Sequence, residues 1–139
     1  MSLFNVFDVA GSGMSAQSVR LNVTSSNLAN AESVSGSPAT AYRARHPVFT
    51  AVLNSAMGDE AGSSVAVRVL DIVQNRTPAQ GRYEPGNPLA DKQGYVYLSN
   101  VNAVEEMANM ISASRSYQSN VEVLNSVKQL MLRTLTIGQ

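Results

Sequence analysis

The sequence has no cysteine, no tryptophan and a single histidine, and its charged residues make up only 14% of 139 positions. Without cysteine there is no disulfide framework and no thiolate metal site, which leaves the redox compartment open. With His46 alone, neither a histidine metal cluster nor a Cys/His nucleophile can be assembled. A Ser/His/Asp triad would have to use the one imidazole that sits beside Pro47. Ten Lys plus Arg balance ten Asp plus Glu, so no basic field attracts phosphates and no nucleic-acid partner is expected. No run approaches the ~18 apolar residues that span a bilayer, so no direct membrane insertion is expected. The first residues also lack the basic and continuous apolar regions of a secretory signal, and no cleavable leader is expected.

The remaining candidates for chemistry are weak. Asp59-Glu60 and Glu105-Glu106 are neighbours in sequence, and neighbours point apart on a helix. Gly11-x-Gly13 lacks the preceding strand and the further glycine of a dinucleotide fingerprint, and no phosphate loop is present. No catalytic, cofactor or metal residue is therefore expected, no small-molecule substrate is implied, and the chain reads as something other than an enzyme.

What the sequence does have is two long helical patterns, over residues 4–30 and 103–137, with every proline (Pro38, Pro47, Pro78, Pro85, Pro88) between them. At 1.5 Å per residue the C-terminal segment would be roughly 50 Å long, whereas a compact globule of this chain length is roughly 35–40 Å across. Such a helix needs cover beyond its own small domain. In the N-terminal segment Phe7, Met14, Leu21 and Leu28 recur every seven residues, with Gly11, Ser18 and Ser25 at the small position four residues later. This reads as a narrow packing seam. Between Asp8 and Glu32 the only charge is Arg20, and the glycines and serines lower intrinsic helicity, so this helix is expected to be marginal until packed.

In the C-terminal segment Asn102 with Glu105 resembles a capping box, and Glu105 and Glu106 in the first turn complement the helix dipole. One stripe runs Met107, Met110, Tyr117, Val121, Leu124, Met131 and Leu135, and a second runs Val123, Val127, Leu130 and Ile137. Two stripes call for burial on more than one side. The methionines read as adaptable packing, not as a metal box. Between the helices, Ser33–Thr40 reads as a loop, Tyr42–Leu53 as an extended stretch, Val65–Val73 as the best strand, residues 83–88 as a dense turn, and Gly94–Leu98 as a returning strand. The expected fold is mainly α with a small antiparallel β unit: a helix over 1–32, a loop and β-rich region over 33–100, and a helix over 101–139.

Ser25-Ser26-Asn27-Leu28-Ala29-Asn30-Ala31, closing the first helix, resembles the signature of bacterial flagellar rod and hook proteins. Residues 84–91, Gly94-Tyr95-Val96, Ser99–Asn102 and Glu105-Glu106-Met107 resemble the short proximal-rod branch of that family, as do residues 43–49 and 111–120. The resemblance covers essentially the whole chain. It implies a structural subunit of the basal-body proximal rod, which crosses the periplasm and passes motor torque outward, exported by the flagellar type III apparatus without a cleaved signal. The implied partners are further copies of the chain, other rod proteins and the export apparatus. It also implies that the terminal helices pair as a coiled coil and pack against neighbouring subunits, through Phe7, Met14, Leu21 and Leu28 with Met107, Met110, Tyr117, Val121, Leu124 and Met131. The alternative from the amphipathic faces is a small helical export chaperone or adaptor, which would form a closed complex of fixed size where a rod subunit grows open-ended.

Overall fold

The computed structural model describes residues 3–54 and 64–137. Helix α1 spans Leu3–Ala29 and helix α2 spans Ala103–Ile137, close to the two helical patterns. The β-rich region between them forms two sheets where the sequence suggests one unit. Strands β2 (Arg45–Asn54) and β3 (Ser64–Gln74) make an antiparallel pair, and β1 (Val34–Ser35), β4 (Gly81–Tyr83) and β5 (Tyr95–Leu98) make a second sheet in the order β1-β5-β4. β1 falls within the Ser33–Thr40 segment expected to be loop, and Tyr83 belongs to β4 as well as opening the turn. Two or three residues of strand are too short to carry a period-2 pattern, which is why neither is visible in sequence.

The order of packing is α2 on α1 and α1 on the β2–β3 pair. α1 ends at a polar cap: Asn30 Nδ2 donates to Ser26 O at 2.8 Å and Ser33 Oγ to Asn30 O at 2.8 Å, so the last carbonyls are satisfied without glycine. The chain then closes on the residues preceding α2, where Ser99 N donates to Ser33 O and Ser99 Oγ to Ala31 O. Asn102 caps α2 with Oδ1 accepting from Val104 N (3.1 Å) and Glu105 N (3.4 Å), the arrangement that its spacing to Glu105 suggests.

Pro47 sits in β2 opposite Ile72, tolerated because each strand of a two-stranded sheet is an edge strand. The β2–β3 register shifts between Val48, paired with Asp71, and Phe49, paired with Val69. Leu70 is thus the extra residue of a bulge, and it stands 69% exposed. In the second sheet Val96 on the central strand is fully enclosed.

Candidate functional site

The helix pair is joined by polar and small residues at seven-residue steps along α1: Gly13, Arg20 and Asn27. A Cβ on Gly13 would lie 2.9 Å from Asn120 Nδ2, so α2 approaches closely there. Arg20 donates to Asn109 Oδ1 at 3.0 Å, and Asn27 Nδ2 donates to Glu106 Oε2 at 3.0 Å. The helices are antiparallel, and the fourteen residues from Gly13 to Asn27 are matched by fourteen from Asn120 to Glu106. Continuing that step places Leu3 opposite about residue 130. The last two turns of α2 therefore run past Leu3.

Asn27 is the hub where three elements meet. It is fully buried, donates to Arg45 O at 2.7 Å as well as to Glu106, and accepts from Arg45 N at 3.0 Å and Tyr42 OH at 3.1 Å. All four hydrogen-bonding positions of its amide are used. Beside it Asn100 Oδ1 accepts from Ala44 N at 2.7 Å, while its Nδ2 donates to Thr77 O at 2.8 Å. Asn27 and Asn100 thus tie the ends of both helices to the start of β2 and the chain leaving β3.

The α2 residues at alternating four- and three-residue steps, Glu106, Met110, Ala113, Tyr117, Asn120, Leu124, Val127 and Met131, form the seam onto α1. They include every buried residue of α2 among the described side chains: Glu106, Ala113 and Val127. Among the residues expected to pack, Met110, Tyr117, Leu124 and Met131 fall on this seam and are half-buried. Val121 lies one residue off it and is half-buried, and Met107, also one off, is 52% exposed. Phe7, Met14, Leu21 and Leu28 are all half-buried. Gly11, Ser18 and Ser25 face outward, with nothing within 4 Å of a Cβ placed on Gly11; the close approach within the chain is made by Gly13 instead. The second stripe divides: Val127 is buried while Val123 and Leu130 are exposed, and the side chain of Ile137 lies outside the described residues.

The seam residues that sequence reasoning passed over are Ala10, Asn27, Glu106, Ala113 and Asn120. Each is small or polar, so a search for large apolar side chains misses it. The signal that would have found them is small or polar residues at alternating three and four spacing, as in Ala10, Gly13, Gln17, Arg20, Thr24 and Asn27.

The buried apolar set of the described residues is Ala10, Ala16, Val23, Ala41, Ala44, Val96, Ala113 and Val127, with no side chain larger than valine. Large apolar side chains lie outside instead: Val104 is 76% exposed, Leu135 68%, and Phe49, Leu53, Val65 and Ile72 of the β2–β3 pair are exposed as well. An open cleft of about 600 Å³ separates α1 from β2–β3, lined by Asp8, Ser12, Ala16, Val19, Val52 and Arg68 among others. It is bridged where Val67 N donates to Ser12 Oγ at 3.1 Å.

The turn over residues 84–94 is rigidly hydrogen-bonded. Asp91 Oδ1 accepts from the backbone N–H of Tyr95 and Gln93, and Oδ2 accepts from Tyr97 OH. These bonds, the Tyr95 one foremost, hold its carboxyl below the usual aspartate range. The same contact with Asp91 pushes the Tyr97 phenol up. Glu84 is lowered by the Asn87 amide and by Arg82, whose Nε lies 2.7 Å from Glu84 Oε1. Gly94 adopts φ +82°, and a Cβ there would lie 2.9 Å from the Tyr83 ring. Only glycine closes this turn without strain.

His46 is half-buried and lines a recess together with Arg20, Thr24, Pro47, Phe49 and Asn109. Asp59 and Glu60 lie outside the described residues. Among the described residues no group of three or more His, Cys, Asp or Glu side chains is arranged to hold a metal, and no helix is long and apolar enough to cross a membrane. The arrangement offers surfaces for packing.

Two families match the chain: one described as flagella basal body rod protein over residues 7–36, and one described as flagellar basal body rod FlgEFG protein C-terminal over residues 92–137. These ranges hold most of α1 and all of α2. Among curated relatives, the flagellar basal-body rod protein FlgC of Escherichia coli O157:H7 is 55% identical over 139 residues, and that of Salmonella typhimurium LT2 is 53% identical. The FlgC protein of Buchnera aphidicola subsp. Schizaphis graminum is 46% identical. Each alignment covers 100% of this chain and 100% of the relative.

Proposed function

Since the chain belongs to the family of flagellar basal-body rod proteins and matches FlgC proteins over its full length, we propose that its two terminal helices are the elements by which it polymerises into the proximal part of the rod. It is a structural subunit of the basal-body rod. Its work is mechanical: a rod that carries motor torque must resist shear between subunits, and broad helix packing supplies that resistance without any catalytic group. The partners are further copies of the chain and other rod proteins. The rod location in turn requires passage out of the cytoplasm, for which the flagellar type III apparatus is the route we assign, into a structure crossing the periplasm.

The observation that carries this reading is the inverted distribution of apolar side chains. Among the described residues nothing larger than valine is buried in the apolar set, while Met107, Ile111, Leu130, Leu132 and Leu135 stand more than half exposed along α2. Exposed apolar surface on that scale marks an interaction face. A rod places such faces between subunits, where their burial stabilises by about 25 cal/mol per Å².

The test is Met107→Asp and Leu135→Asp, each in cells relying on that copy alone. Both positions are exposed in the single chain, so the soluble protein should keep its circular dichroism spectrum, while incorporation into isolated basal bodies and swimming should be lost. Normal incorporation and normal swimming for both variants would remove α2 from the assembly surface.

A further inference from the structure

We infer that the recess between α1, α2 and β2 is a binding site for a single carboxylate carried on a short aliphatic stem, held by Arg20, Thr24 and Asn109 beside His46. The site lies where the helix pair meets the β2–β3 pair, away from the exposed apolar side chains of α2, and it does not depend on the rod-subunit reading.

Three elements supply its walls. Arg20 and Thr24 of α1 are four residues apart and so share one face of the helix. Asn109 comes from α2, and His46, Pro47 and Phe49 come from β2. The enclosed space is about 230 Å³, below the roughly 300–1,000 Å³ of pockets that take larger ligands. It suits a carboxyl group with a few methylenes.

The polar groups of the recess have donors to spare. Arg20 donates to Asn109 Oδ1 at 3.0 Å, which leaves the rest of the guanidinium's donors unused. The same bond fixes the Asn109 amide, so its Nδ2 is the group left to donate. Thr24 is only 3% exposed, yet its hydroxyl has no hydrogen-bond partner among the described residues, and neither has the His46 imidazole. A nearly enclosed hydroxyl without a partner is costly unless something fills the cavity and bonds to it.

Charge and shape then select the ligand. No acidic side chain lines the recess, and Arg20 makes no ion pair among the described residues. Water can accept from these donors but leaves the guanidinium charge unmatched. A carboxylate does both: its two oxygens fit the fork of the guanidinium, with lone pairs left for the Asn109 amide and the Thr24 hydroxyl. Pro47 and Phe49 are apolar walls, which suit the methylenes of an acid and offer nothing to the outer oxygens of a phosphate. Arg20 is the one residue of the lining with a fixed positive charge, so a monoanion is matched better than a dianion.

The test is titration of the purified full-length chain with sodium butyrate, followed by nuclear magnetic resonance, with sodium chloride at equal ionic strength as control. The Thr24 N–H, Arg20 Nε–H and Asn109 side-chain amide should shift in a saturable way, with a dissociation constant on the order of 1–10 mM. Backbone hydrogen exchange at Thr24 and Asn109 should slow as well, since the acid binds only the closed junction. Butylammonium and 1-butanol should do neither. Arg20→Lys keeps the charge and loses the fork, so binding should weaken about tenfold. Thr24→Val keeps the shape and loses the hydroxyl, and should weaken binding about threefold. Shifts and exchange no different from those in sodium chloride, inorganic phosphate binding as tightly as butyrate, or both variants binding like the native chain would each overturn the inference. Two sources carry such a group, a free acid and an Asp or Glu side chain of another protein. Butyrate is therefore titrated in parallel with the methylamide of N-acetylglutamate, whose only carboxylate is on the side chain. Tighter binding of butyrate assigns the site to a free acid, and tighter binding of the glutamate derivative assigns it to a protein side chain.

Discussion

Asn27 donates its side-chain amide to Glu106 Oε2 at 3.0 Å inside the seam between the two helices, where both residues are buried. No ion pair neutralises Glu106 among the described residues. Asn27→Asp should therefore place two carboxylates in contact and also leave Arg45 O without its donor, a loss of at least about 2 kcal/mol. In a Glu106→Gln background the same substitution should cost clearly less, since the glutamine amide can donate to the new carboxylate. Urea unfolding followed by circular dichroism measures both. An equal loss in the two backgrounds would mean that Asn27 and Glu106 do not interact as described.

Gly11 and Gly13 should respond differently to alanine. Gly11 has open space around it, so Gly11→Ala should stabilise α1 by roughly 0.5–1 kcal/mol through helix propensity alone. At Gly13 the added methyl meets Asn120 Nδ2 at 2.9 Å, so the propensity gain should be reduced or reversed as that side chain shifts. Thermal unfolding of the two variants decides it, and equal stabilisation would argue against the close approach of α2.

The turn over residues 84–94 should loosen in acid. The folded pKa of Asp91 lies below its ordinary value of 3.8, so the ionised carboxylate is the form the fold prefers. Its contribution is present above the unfolded value and is lost as pH falls through the folded one. Amide resonances of Gln93 and Tyr95 should stay dispersed at neutral pH and collapse below about pH 3.8. Asp91→Asn should weaken the turn at neutral pH and flatten that pH response. A turn unchanged down to pH 2 in the native chain would contradict the assignment.

Hydrogen exchange on the dilute monomer should be fast along much of both helices, because their apolar sides lack cover and their buried contacts are small. The same amides should be protected in isolated rods. Strong protection of residues 4–30 and 103–137 in the monomer would show that the single chain already holds its helices without neighbours.

The helices were legible because 27 and 35 residues give a periodic pattern room to repeat, and because Asn102 marks the start of α2. The β2–β3 pair was half legible: Val65, Val67 and Val69 alternate as a strand should, yet the bulge at Leu70 shifts the register and hides the partner. The separate β1-β5-β4 sheet was not, since two of its strands are too short for any pattern. At the seam, Met110, Tyr117, Leu124 and Met131 are half-buried and large enough for a periodic pattern to mark them. Ala113, Asn120 and Glu106 were missed because this seam is built from small and polar side chains, which look like a solvated face. Met107 belongs to the same stripe in sequence but lies one residue off the seam and is 52% exposed, so any cover for it has to come from outside the chain.

Among the described residues the buried apolar side chains stop at valine, so the chain has little to expose on melting. Its heat capacity change should fall below the 12–15 cal/mol/K per residue typical of globular domains, giving a shallow stability curve and a broad, low-enthalpy endotherm for the monomer. Association should instead carry a large negative heat capacity change, as apolar surface leaves water only between subunits. The calorimetric mark of a hydrophobic core should therefore belong to the rod and not to any one chain within it.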